Sequence, residues 1–175
     1  MKLKTIKIFF ISCLILSIVV IAAAYHRYVY NKPYNLLANS KAEISNSLKS
    51  LKDNQILAIV LGANWCPECL KLAKDLESPP LNGIINKSFS VVKVDVNGWD
   101  RNMDIVELLG NPVKGGIPAI VFLNNQKQII LTNTGNQLSK LKNKYGSYYQ
   151  YFVNVDNSYI EKNTVLINKS APINL

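Results

Sequence analysis

The order of apolar and polar positions divides the chain into an N-terminal apolar block and a longer patterned region. Ile8 to Ala24 is an apolar run interrupted only by Ser12, Cys13 and Ser17. Residues 25–37 are Tyr-rich, contain Asn31-Lys32-Pro33 and show no period, which predicts a linker. Apolar positions at Ala42, Ile44, Leu48 and Leu51 then predict a helix within Ala38–Asp53. Ile56–Leu61 is a short continuous apolar run, the pattern of a strand buried on both faces, and Gly62-Ala63-Asn64 ends it. Cys66–Leu76 returns to helical spacing through Cys69, Leu70, Leu72, Ala73 and Leu76, and Ser78-Pro79-Pro80 stops it.

Farther on, Phe89–Val96 reads as a strand and Met103–Leu109 as a short helix ended by Gly110-Asn111-Pro112. Ala119–Leu123 and Gln128–Thr132 flank the turn Asn124-Asn125-Gln126 and read as a hairpin. Leu138–Phe152 is a final amphipathic helix interrupted at Gly146. The alternation predicts an α/β fold, a mixed sheet flanked by helices, over residues 38–155. Residues 156–175 form an Asn-rich tail with one apolar patch, Val165–Ile167, and no predicted element.

Composition changes this picture in two places. The chain of 175 residues carries Lys+Arg 20 against Asp+Glu 11. Three of those lysines, Lys2, Lys4 and Lys7, precede the apolar run, which makes residues 1–24 a signal peptide or signal anchor. Ala22-Ala23-Ala24 suits cleavage, while the length of the run and the following Tyr25, His26, Arg27, Tyr28 and Tyr30 suit an anchor. Either way the rest of the chain is expected in the periplasm, secreted or held at the inner membrane through residues 8–24. The other lysines are scattered, with no arginine stripe and no interleaved aromatics, so no nucleic-acid partner is expected.

Candidate chemistry lies in Trp65-Cys66-Pro67-Glu68-Cys69. Cys66 falls at a predicted helix N-terminus, where free N–H groups and the helix dipole stabilise a thiolate. Cys69 is one turn on, on the same face and near enough to bond to it. Pro67 tolerates the first turn because it needs no N–H partner there. A zinc site would need four ligands, and only Cys13 and His26 remain, so neither metal nor other cofactor is expected.

The strand leading into this motif, with Gly116-Ile117-Pro118 opening a later strand, resembles the thioredoxin superfamily over roughly residues 40–152. Gly62 to Pro67 and Val94 to Asp100 are most similar to exported bacterial thioredoxin-like thiol–disulfide oxidoreductases. The resemblance implies Cys66 as nucleophile, Cys69 as resolving cysteine, and a cis Ile117–Pro118 bond facing them. It implies a groove of Trp65, Ile117 and Pro118 that receives client proteins bearing disulfides. Where the superfamily usually has a buried acid six residues before the first cysteine, this chain has Val60, and Lys93 matches a family lysine nearby. Trp99 has no assigned role; it is expected in the core, with substrate contact as the alternative.

Pro67, Glu68 and Lys93 are the residues expected to tune the redox poise. A carboxylate at Glu68 disfavours the Cys66 thiolate and so the reduced form, which points to a reductant. A reductant outside the cytoplasm needs electrons from a membrane partner. The competing expectations are an oxidant or isomerase on the same fold, and a non-catalytic client-binding module.

Overall fold

The computed structural model describes residues 2–30, 32–52, 54–163 and 172–173. The elements run α1 (Lys2–Tyr30), α2 (Ser40–Ser50), β1 (Ile56–Gly62), α3 (Pro67–Glu77), α4 (Leu81–Ser88) and β2 (Phe89–Asp95). They continue with α5 (Met103–Leu108), a 3₁₀ turn (Pro112–Gly115), β3 (Ala119–Leu123), β4 (Ile129–Asn133), α6 (Gly135–Tyr145) and α7 (Tyr148–Asn163). The four strands form one sheet in the order β2-β1-β3-β4. The β1–β2 pair is parallel, while β1–β3 and β3–β4 are antiparallel. This is the mixed sheet the alternation predicts, with helices on both faces.

The two faces of β1 seed two cores. Leu57, Ile59 and Leu61 pack with Ile44 and Leu48 of α2 and with Ile105 and Val106 of α5. Ile56, Ala58 and Val60 pack with Leu72 and Leu76 of α3, Leu81 and Ile85 of α4, and residues of α6 and α7. On that second face Phe89, Phe122, Tyr151 and Phe152 meet mostly edge to face or tilted, with centroids 5.2–6.3 Å apart, a geometry that suits the aromatic quadrupoles.

Four segments differ from the pattern-based expectation. The helix expected to stop at Ser78-Pro79-Pro80 is followed at once by α4, whose Leu81, Ile84 and Ile85 lie on one helical face; the Pro79–Pro80 bond is cis. The single final helix is two, because Gly146 takes a left-handed φ of 73° and turns the chain. Within the stretch expected as a linker, α1 continues to Tyr30, and Tyr34 is fully buried in the domain. In the tail, α7 reaches Asn163, and Ile173 packs against the α2 side of the core with its N–H donating to the Lys127 carbonyl. The Val165–Ile167 patch lies outside the described residues.

The loop before β3 is braced from behind by α6. Thr134 caps that helix in a reciprocal box with Gln137, and Gly135 N–H donates to the Gly116 carbonyl at 3.2 Å. A Cβ on Gly135 would stand 2.8 Å from the Ile117 nitrogen and closer still to the Gly116 carbonyl. Helix propensity alone would favour alanine there by about 1 kcal/mol. Backbone atoms cannot swing aside as a flexible side chain does, so overpacking, at about 1–3 kcal/mol, wins. Gly135→Ala should therefore lower the denaturant midpoint of unfolding without changing its slope.

Candidate active site

β1 ends at Gly62, whose carbonyl accepts from Val96 N–H at 2.9 Å, and the chain then turns into α3. Asn64 fixes this turn. Its side chain accepts from Tyr34 N–H at 3.2 Å and donates to the Tyr34 carbonyl at 2.6 Å. Cys66 is the N-cap of α3 and Pro67 opens its first turn. Cys66 Sγ accepts from Cys69 N–H at 3.2 Å, the place and geometry that stabilise negative charge on sulfur. Cys66 and Cys69 form a disulfide with Cα atoms 5.2 Å apart. Cys69 is fully buried and Cys66 retains 6% exposure, so the N-cap sulfur belongs to the residue nearer solvent. The third cysteine, Cys13, is exposed on α1 and free.

Opposite the disulfide the Ile117–Pro118 bond is cis, with the Ile117 carbonyl oxygen 3.7 Å from Cys66 Sγ. The chain thus brings Trp65, Cys66, Pro67, Glu68, Cys69, Ile117 and Pro118 to one end of the sheet. Trp65 is 56% exposed and donates from its indole N–H to the Asn97 carbonyl at 2.8 Å. Trp99 does not enter the core: it is 45% exposed and meets Trp65 edge to face at 6.5 Å. The reason is the turn after β2, where Asn97 and Trp99 have φ of 42° and 70° and Asp100 accepts from Asn97 Nδ2 and Gly98 N–H. The Asn97-Gly98 dipeptide is the sequence signal for that turn.

Lys93 stands elsewhere. Its ammonium pairs with Glu77, the last residue of α3, in a hollow lined by Leu76, Ile85 and Val91, at the opposite end of that helix from the cysteines. Glu68 is exposed in the first turn of α3. The buried Tyr148 hydroxyl, at the start of α7, donates to the Glu68 carboxylate, and its pKa is raised first by burial and then by the charges of Glu68 and Asp75. A tyrosine so shifted stays protonated and remains a donor. Neither Tyr148 nor Tyr34 carries a sequence signal for the site, since each reaches it from a distant segment.

A family model described as thioredoxin-like matches residues 49–125. The crystal structure of a disulphide isomerase from Xylella fastidiosa Temecula1 is similar at 31% identity and a TM-score of 0.66, over 72% of this chain and 98% of that one. A Trichomonas vaginalis thioredoxin is 22% identical, with a TM-score of 0.41, over 65% of this chain and 95% of that one. The germline thioredoxin Deadhead of Drosophila melanogaster is 23% identical, with a TM-score of 0.42, over 59% and 86%. No protein of curated function matches the chain. Paired cysteines at a helix start, in this fold and with this relative, define a protein dithiol–disulfide oxidoreductase. The chain belongs to the thioredoxin superfamily.

Cys66, which caps α3, keeps slight exposure while Cys69 keeps none, and the expected order, attack from Cys66 and resolution by Cys69, is open to a direct test. Cys69→Ser should accumulate mixed disulfides with client proteins, visible as thiol-sensitive bands on non-reducing gels. Cys66→Ser should accumulate none, and equal trapping by both variants would reverse the order.

Proposed function

We propose that this oxidoreductase is a reductant of protein disulfides, held at the inner membrane by α1 with its redox domain in the periplasm. The observation that carries the direction is Glu68, a carboxylate fixed in the first turn of α3 by the Tyr148 hydroxyl, two residues from the Cys66 N-cap. A negative charge there opposes the Cys66 thiolate and leaves the disulfide form untouched, so it favours oxidation of this protein and reduction of its client. The extended client segment lies along the Ile117 backbone by strand addition, with Trp65 and Trp99 as an apolar rim beside its cysteine. Electrons arrive from a membrane partner that re-reduces the Cys66–Cys69 pair.

The location rests on α1. Lys7–Arg27 is a helix long and apolar enough to cross a membrane. At 1.5 Å per residue its 21 residues extend about 31 Å, close to the hydrocarbon thickness of roughly 30 Å. Basic residues on its N-terminal side favour a cytoplasmic N-terminus. A second reading, disulfide isomerisation, is favoured by one observation: the Xylella protein similar at 31% identity is a disulfide isomerase.

Two measurements test these readings. Equilibration with glutathione should place the Cys66–Cys69 couple near the thioredoxin range of about −270 mV, whereas about −180 mV would favour the isomerase. Glu68→His should raise that potential by tens of millivolts, on the order of a unit charge exchanged near the thiolate in high dielectric, and an unchanged or lower value would remove the argument for a reductant. A reporter active only outside the cytoplasm, fused after Leu175, should be active; an inactive fusion, with a cytoplasmic reporter working in its place, would reverse the topology.

A further inference from the structure

Among the described residues, two buried side-chain polar atoms have no hydrogen-bond partner: the Tyr34 hydroxyl and Asp95 Oδ2. Tyr34 is fully buried and Asp95 is 2% exposed. Interiors rarely keep such groups unpaired, because each forgoes its hydration without a replacement. Both stand beside the cysteines. Tyr34 packs in one buried cluster with Cys66, Cys69 and Ala73. The tip of its ring covers Gly62 so closely that a Cβ on that glycine would overlap the hydroxyl. Gly62 is the register partner of Asp95 across the parallel β1–β2 pair. Register partners direct their side chains to the same face of a sheet, so the Asp95 carboxylate rises next to the space the Tyr34 hydroxyl fills.

That face is the one α3 covers. Residues of alternate register on β1, namely Ile56, Ala58 and Val60, pack against Leu72 and Leu76 of α3. Cys69, Leu72, Ala73 and Leu76 form the buried stripe of that helix. Cys69, Tyr34 and Asp95 therefore lie on one face of the sheet beneath α3, with no hydrogen bond joining the Tyr34 hydroxyl or Asp95 Oδ2 to a neighbour in the disulfide form. The exchange mechanism leaves one event there without an agent: the Cys69 thiol is fully buried and must lose its proton before it attacks.

We propose that Tyr34 and Asp95 are the proton relay of Cys69. The relay requires the mixed-disulfide state, with Cys69 released from the disulfide, to close hydrogen bonds that the disulfide form lacks. Through them the Cys69 thiol gives its proton to the Tyr34 oxygen while the Tyr34 hydroxyl proton passes to Asp95 Oδ2. The Cys69 sulfur lone pair forms the bond to Cys66 Sγ, the Cys66–client S–S bond breaks, and its electron pair leaves on the client sulfur, which takes a proton from solvent. The Cys66–Cys69 pair is oxidised and the client disulfide reduced; Asp95 then returns its proton to solvent. In the opposite direction the relay delivers the proton to Cys69, so the assignment rests on thiol–disulfide exchange by this pair and not on which way it runs.

The surroundings suit these roles. Burial raises the Asp95 carboxyl above its ordinary range and the neighbouring Asp100 adds to this, while the Asn97 N–H and Arg101 pull it back; the Arg101 guanidinium is 3.9 Å from Oδ2. A carboxylate so placed is a stronger base than an exposed one. Burial raises the Tyr34 hydroxyl most, with Tyr148 of α7 and Asp95 adding to it, so Tyr34 passes a proton without itself ionising. Glu68 on α3 is engaged with Tyr148.

The test uses the reduced full-length chain in detergent, in a Cys13→Ser background so that only the pair reacts. The probe is a symmetric aromatic disulfide whose released thiolate is coloured, mixed by stopped flow. The first phase of colour reports attack by Cys66, and the second reports resolution by Cys69. In Tyr34→Phe and in Asp95→Asn the first phase should stay within about twofold of the parent while the second slows by about tenfold or more at neutral pH, recovering only as the pH is raised. Tyr34→Phe removes a single unpartnered hydroxyl and keeps the ring, so its folding is not at risk. A second phase at the parental rate across the pH range in Tyr34→Phe would overturn the relay, as would equal slowing of both phases. Loss of the first phase in the parent would instead overturn thiol exchange by this pair.

Discussion

Strand β1 is hydrogen-bonded on both sides and all seven of its residues are buried, and this confinement governs what the rest of the chain can do. A strand with a neighbour on each edge and a helix layer on each face leaves its backbone only one way out, along its own axis. The exit lies at the carboxyl end, beyond Gly62, and there α3 begins. The first N–H groups of that helix meet the place where the sheet stops covering the backbone. Cys66 sits at that junction as a cap, so the field of the helix acts on its sulfur without any side chain being recruited to supply it.

Several distant segments then complete the surroundings of the two sulfurs. The loop before β3 brings the Ile117 carbonyl, α7 brings Tyr148 to Glu68, the segment after α1 brings Tyr34, and the end of β2 brings Asp95. Their environments separate by burial. Glu68 and the two indoles lie at the surface; Tyr34, Asp95 and Cys69 lie inside, where the low dielectric makes each proton position matter more. One helix terminus therefore has an outer side suited to recognition and an inner side suited to proton handling.

The parts of this arrangement that depend on neighbours in sequence are legible from the chain alone. The buried run Ile56–Leu61 and the cysteine pair three residues apart each carry a local reason for their conformation, while the cis Ile117–Pro118 bond is implied only by the resemblance. The mixed character of the sheet follows from the alternation and the hairpin, whereas its strand order, with β3 antiparallel beside β1, does not. What escapes is set by contacts across the fold. Tyr34 lies in an aperiodic, tyrosine-rich stretch, and nothing in it separates the one tyrosine that fills the space above Gly62 from Tyr25 or Tyr28. Asp95 reads as the polar end of a strand until its register partner is known. Trp99 reads as core by composition, yet the left-handed turn that starts at Asn97 holds it at the surface. Lys93 falls at a suggestive place in the sequence, but an edge strand lets its long side chain reach Glu77.

The brevity of the connection after α1 has a kinetic meaning. From Tyr30, the last residue of that helix, to Tyr34 in the wall of the site is four residues, a contour of about 14 Å at full extension. A chain this short cannot act as a flexible arm, because its reach is well below the width of the domain it carries. Under the anchored reading proposed above, a membrane that holds α1 would confine the disulfide to a thin layer above it. For a second protein on the same surface, encounter becomes a two-dimensional problem with a high effective concentration, while a client diffusing freely in the bulk gains nothing from the tether.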